Sequence, residues 1–134
     1  MRSSECACAV ALLLLIRPAF AAPQVPKTQT DPCRKPTTQL ELSQCSERKF
    51  RDAEADLQKA YDGFVKFLTQ RLADKAAEDL KASQVAWVRY RELQCHAEAG
   101  QYDGGSLKDT MFSACMESLT RARIKQLDDT YNDK

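Results

Sequence analysis

The chain reads as all-α: a three-helix antiparallel bundle, or hairpin extended by a third helix, with one long helix and two disulfide staples. Three observations predict this. Apolar residues recur mostly at spacings of three and four along the long segments, which is the period of one helical face. No segment alternates apolar and polar residues over a useful length, as a half-buried strand would. Capping sequences and one cluster of glycines fall between the periodic segments. The 134 residues suit a single domain.

The N-terminus reads as a signal peptide over residues 1–21. Cys6 to Ile16 form an apolar run ending in Leu12, Leu13, Leu14, Leu15 and Ile16. Such a run is too short to span a bilayer as a helix but fits a signal-peptide core. Ala19-Phe20-Ala21 follows as a cleavage site. Arg2 is the one cation ahead of the run, opposed by Glu5. The expected location is periplasmic or secreted, with no stable membrane insertion after cleavage. Residues 22–37 form a Pro-rich extended leader, because Pro23, Pro26, Pro32 and Pro36 forbid a regular helix. The helical domain follows over residues 38–134.

Cleavage removes Cys6 and Cys8 from the six cysteines and leaves Cys33, Cys45, Cys95 and Cys115. An even number in a small exported domain implies disulfides. Four cysteines allow three pairings, and spacing alone does not choose among them. The local pairings, Cys33–Cys45 and Cys95–Cys115, are the expectation, since each ties a loop to a neighbouring helix end. No C-x-x-C and no cluster of histidines marks a metal site, so no metal and no cofactor is expected.

Cleavage also takes Arg2 and Arg17 from the 20 cations and Glu5 from the 19 anions, which leaves the charges balanced. A nucleic-acid or anionic-membrane binder needs a net basic face, so neither partner is expected.

The first helix starts at a capping box, Thr38-Gln39-Leu40-Glu41, in which the threonine caps and the glutamate reaches back. Its apolar face runs from Leu42 through Cys45, Phe50, Ala53, Leu57, Tyr61, Phe64 and Leu68 to Leu72, ~50 Å of helix. Gly63 is a weak point within it. A break falls near Ala73-Asp74, with Asp74 as the cap. The second helix runs from about Lys75 to Ala97 on a stripe of Ala77, Leu80, Trp87 and Cys95. Gln84 and Arg91 lie on or beside that stripe and must find polar partners or stay at its margin. Gly100 to Ser106 is an ordered loop. It is not a phosphate loop, because no strand precedes it and no Lys-Ser/Thr closes it. Ser106-Leu107-Lys108-Asp109 opens the third helix, whose face uses Phe112, Cys115, Met116, Leu119, Ile124, Leu127 and Tyr131.

No catalytic set emerges. His96 is the single histidine, and it reads as an exposed residue near a helix C-terminus. Its neighbour Cys95 is expected to be oxidised, which removes a Cys–His nucleophile. No catalytic residue is assigned, and the chain is not expected to be an enzyme. Recognition is the stronger signal. Trp87, Tyr90 and Arg91 belong to the residue types that dominate binding hot spots. They read more readily as core residues, with Arg89 or Arg91 paired to a carboxylate, and exposure divides the two readings. Tyr102 and Asp103, in the glycine loop, are the other candidate partner-binding residues.

The combined motifs resemble a known family. They are Thr38-x-x-Glu41-x-x-x-Cys45; Gln84-x-x-Trp87-x-x-Tyr90-Arg91-x-x-x-Cys95; Tyr102-x-Gly104-Gly105-Ser106; and Cys115 with Leu119-Thr120-x-x-Arg123. Together, over roughly Cys33 to Leu127, they resemble the bacterial family named for the lysozyme-inhibitor lipoprotein LprI. The resemblance implies an exported helical domain that inhibits lysozyme, so the expected partner is a protein, with a lysozyme foremost. This chain lacks a lipobox, so the name-giver's membrane anchor does not carry over. Association with a strongly basic lysozyme gains rate from acidic charge, and Asp103 is the candidate for a local acidic edge. The alternative function is an envelope adaptor or structural protein, or an immunity-type partner of a secreted toxin.

Overall fold

The computed structural model describes residue 31 and residues 33–132, with side chains through residue 130. The expected signal peptide, and the leader before residue 31, lie outside the described residues. Three helices follow in order: α1 (Gln39–Gln70), α2 (Asp74–Ala99) and α3 (Lys108–Asn132). A single 3-10 turn, Gly100–Tyr102, joins α2 to the loop before α3.

The start of α1 follows from its sequence. Thr38 Oγ1 accepts from the Glu41 backbone N–H at 3.2 Å. The Glu41 carboxylate in turn accepts from the backbone N–H groups of Thr37 at 2.8 Å and Thr38 at 3.0 Å. These backbone donors hold the Glu41 carboxyl below the usual carboxylate range. The leader folds back onto the helix through the local pairing. Cys33 is bonded to Cys45, and Asp31 pairs with Arg48 at 3.0 Å.

The end of α1 differs from the expectation that Leu72 continues the apolar face. The helix stops at Gln70, and Leu72 stands at φ 57°, in the left-handed region, 89% exposed. The N–H of Leu72 donates to the Thr69 carbonyl and that of Ala73 to the Leu68 carbonyl, both at 3.1 Å. This paired pattern satisfies the last carbonyls of the helix, and it usually places glycine where Leu72 stands. Asp74 is also not the cap of α2. Ala73 precedes the helix without a side-chain cap, and Asp74 occupies the first helical turn. There its charge faces the positive end of the helix dipole.

The helices run up, down and up, so α1 and α3 are parallel. Gln39 reaches Thr110 near the starts of both, and Leu57 meets Leu127 farther along. α1 packs far more extensively on α3 than on α2, despite the short α1–α2 connection. The core has two apolar clusters. Leu57, Leu80 and Leu127 centre one, with Phe64, Leu68, Trp87 and Ile124 packed around them. Cys95, Cys115 and Met116 centre the other, flanked by Phe50, Phe112 and Leu119. Among the described residues, no helix is long and apolar enough to cross a membrane.

Candidate functional site

Arg91 occupies the interior together with Thr120; Arg91 is 4% exposed and Thr120 is fully buried. One guanidinium nitrogen of Arg91 donates to the Glu54 carboxylate and to Thr120 Oγ1 at 2.6 Å. Thr120 Oγ1 donates onward to the Met116 carbonyl at 2.7 Å. The same guanidinium lies over the Trp87 ring at 4.8 Å and near the Phe50 ring at 5.2 Å. Its Nε is buried without a hydrogen-bond partner. Attraction to the two ring faces offsets part of that cost.

Trp87 is half-buried rather than fully in the core. Arg123 lies across its ring at 5.7 Å. Arg123 also donates to Gln84 Oε1 at 3.2 Å and to Ser83 Oγ at 3.1 Å, and burial pushes its pKa down. Gln84, Trp87, Arg91, Thr120 and Arg123 therefore form one network between α2 and α3, with Glu54 reaching in from α1. Two of the five residues first read as recognition candidates, Trp87 and Arg91, are committed to this network. Tyr90, three residues on from Trp87, is exposed instead.

Tyr102 and Asp103 follow the C-terminal end of α2, outside the Trp87–Arg91 network. Several anchors hold their loop. The Cys95–Cys115 bond closes its base, with Cα atoms 5.5 Å apart. Gln39, just inside the start of α1, donates to the Ser106 carbonyl at 3.2 Å and to Thr110 Oγ1 at 2.9 Å. The Tyr102 carbonyl accepts from the Gly105 N–H at 3.1 Å. Gly104 has φ 78°, which a side chain resists. A Cβ on Gly105 would come within 3.3 Å of the Tyr102 carbonyl oxygen. Tyr102 is half-buried, and residues 103–107 are exposed. Asp103 pairs with Lys108, and this partner pushes the Lys108 pKa up. The pairing neutralises the acidic edge expected at Asp103.

A third feature lies between α1 and α2, where packing is thin. A groove of about 290 Å³ is lined by Glu54, Gln58, Tyr61 and Lys81, with Leu57, Val85 and Val88 supplying its apolar surface. His96, the single histidine, is exposed beside Phe112, with ring centroids 4.6 Å apart.

Sequence reading missed Glu54 and Gln39 because both look like ordinary surface residues of an amphipathic helix. Thr120, Gln84 and Arg123 were present in the motif pattern, but their spacing on two different helices did not show that they meet.

Residues 33–127 match the family described as lysozyme inhibitor LprI. The chain belongs to the LprI family. The matched span encloses both disulfides, all of α1 and α2, the glycine loop and most of α3. An uncharacterized protein of Rhizobium meliloti (strain 1021) is 33% identical over 132 residues, covering 90% of this chain and 92% of that protein. No solved structure is significantly similar. Most of the residues that carry the family resemblance are used inside the fold. They cap α1, close the disulfides or build the Arg91 network. The glycine loop is the main part of the pattern that faces solvent.

Proposed function

We propose that this is an exported cell-envelope protein that inhibits a lysozyme-like muramidase by binding it. Membership of the LprI family, matched over residues 33–127, carries this reading. Two oxidised cysteine pairs support export, because such bonds persist outside the reducing cytoplasm. The docking element is the glycine loop, with Tyr102 and Asp103 as contact residues. Its anchoring by the disulfide, Gln39 and the internal turn means that little ordering is left to be done on binding, which favours affinity. Trp87 and Arg91 serve as scaffold behind it, and no residue of the chain performs catalysis.

The test is inhibition of cell-wall lysis by the purified, oxidised protein against several lysozyme classes. Dose-dependent inhibition at micromolar protein is expected. Tyr102→Ala and Asp103→Ala should each weaken inhibition while leaving the helical circular dichroism unchanged. Absence of inhibition against every class would sink the reading. Full inhibition by both loop variants would move the docking surface elsewhere.

A further inference from the structure

Arg123 is a cation that the fold supplies with no anion. Its Nε donates to Gln84 Oε1 at 3.2 Å, one terminal nitrogen to Ser83 Oγ at 3.1 Å, and the other to Gln126 Oε1 at 3.4 Å. All three acceptors are neutral, and no carboxylate of a described residue pairs with it. Burial alone pushes its pKa down, with no acidic neighbour to offset the effect. Arg91, over the same Trp87 ring, differs in having Glu54. Two guanidinium groups thus share one ring, and one carboxylate neutralises only the inner one. A charge drawn partly out of water is ordinarily paired.

The unused donors of Arg123 follow from its chemistry. Nε carries one N–H and each terminal nitrogen carries two. The three bonds above leave one N–H free on each terminal nitrogen. The group is also held in place before any ligand arrives. Trp87 lies against it, and Ser83 is itself bonded to the Leu80 carbonyl at 3.0 Å. Ser83, Gln126 and Tyr90 are exposed and Arg123 is half-buried, so this part of the seam between α2 and α3 opens to solvent.

We propose that Arg123 is a carboxylate-binding site on the α2–α3 seam. A carboxylate presents two coplanar oxygens, which match one N–H on each of the two terminal nitrogens. A phosphate dianion would bring a second charge, and the neighbouring Arg91 is buried and already paired with Glu54. The site takes the carboxylate group itself, carried by a peptide or by a small free acid. Ser83 and Ala99, the last residue of α2, are ~24 Å apart along the helix. The site is therefore separate from the glycine loop, and the inference does not depend on the muramidase reading.

Trp87 is the single tryptophan of the chain, so its fluorescence reports on the site. The test titrates the oxidised protein, as purified from the producing cell, with sodium acetate at an ionic strength held constant by sodium chloride. A saturable change with a millimolar midpoint is expected, as suits one charge-assisted pair. Phosphate should bind several-fold more weakly. Arg123→Gln should remove the saturation, and Arg123→Lys, which keeps the charge but loses the paired donors, should weaken it about tenfold. Circular dichroism checks that both variants fold. The Arg123 Nε–H and Trp87 indole N–H resonances of the unsubstituted protein should shift with the same midpoint, which needs no variant. Blocked peptides, one with an aspartate and one with a free C-terminus, separate the sources. Saturation by either places the natural ligand on a peptide, and saturation by acetate alone makes it a free acid. No saturation by any carboxylate at ~100 mM would overturn the proposal. An equal response to phosphate, or saturation that survives in R123Q, would overturn it as well.

Discussion

Arg91 brings a charge into the bundle and leaves its counter-ion half outside. Its side chain is nearly inaccessible, whereas the Glu54 side chain is 42% exposed. The two partners therefore contribute unequally. Removing Glu54 strands a buried cation, with only Thr120 and two ring faces to accommodate it. Removing Arg91 leaves a carboxylate that water reaches. Glu54→Ala should destabilise by about 2–3 kcal/mol, and Arg91→Met, which keeps the volume, by about 1 kcal/mol. Urea unfolding of the two variants checks this, and the opposite order would mean that Glu54 contributes little. The polar position of Arg91 on the α2 stripe was legible, as was its need for a partner. Its partners were not, because Glu54 lies 37 residues away and Thr120 lies 29 away.

The helices show the same division between local and distant causes. The start of α1 was legible because a capping box is four consecutive residues acting on one another. Its end was not, because a leucine holds a position where glycine is usual. A left-handed conformation costs a residue with a Cβ about 1 kcal/mol, and glycine escapes it. Leu72 is almost fully exposed, so its side chain returns little in packing. Leu72→Gly should therefore raise stability by about 1 kcal/mol, seen as a higher thermal midpoint. An unchanged or lower midpoint would show that the leucine contributes contacts or limits the unfolded chain more than the strain costs. α2 was the hardest helix to read. Apolar residues on both sides blur its periodicity, and its two sides separate only once α1 and α3 are seen to share one of them.

The two disulfides act on the molecule in different ways. Cys33–Cys45 spans 12 residues and pins the leader, whereas Cys95–Cys115 spans 20 and closes the loop over a packed cluster. Loops of these lengths contribute about 2–4 kcal/mol per bridge by limiting the unfolded chain. Cys33 is partly exposed, whereas Cys95 is fully buried. Thiol reagents therefore reach the leader bridge first. Mild reductant with timed alkylation and mass spectrometry should label Cys33 and Cys45 before Cys95 and Cys115. Simultaneous labelling would indicate that the bundle opens as a unit before either bridge is attacked. Loss of the second bridge should cost more function, since it frees the base of the loop.

The all-α class, the three helices and the capped start of α1 were all readable from the chain. Each rests on interactions within a few residues: hydrogen bonds four apart, a cap three apart, a face repeating every three or four positions. Cysteine number implied two bridges, and short loops suggested which. The extensive pairing of α1 with α3 and the partners of Arg91 depended on how the helices pack. Periodicity reports that a residue lies on a face but not which helix that face meets. That packing divides the five recognition candidates, turning Trp87 and Arg91 inward and leaving Tyr90, Tyr102 and Asp103 on the surface to differing degrees.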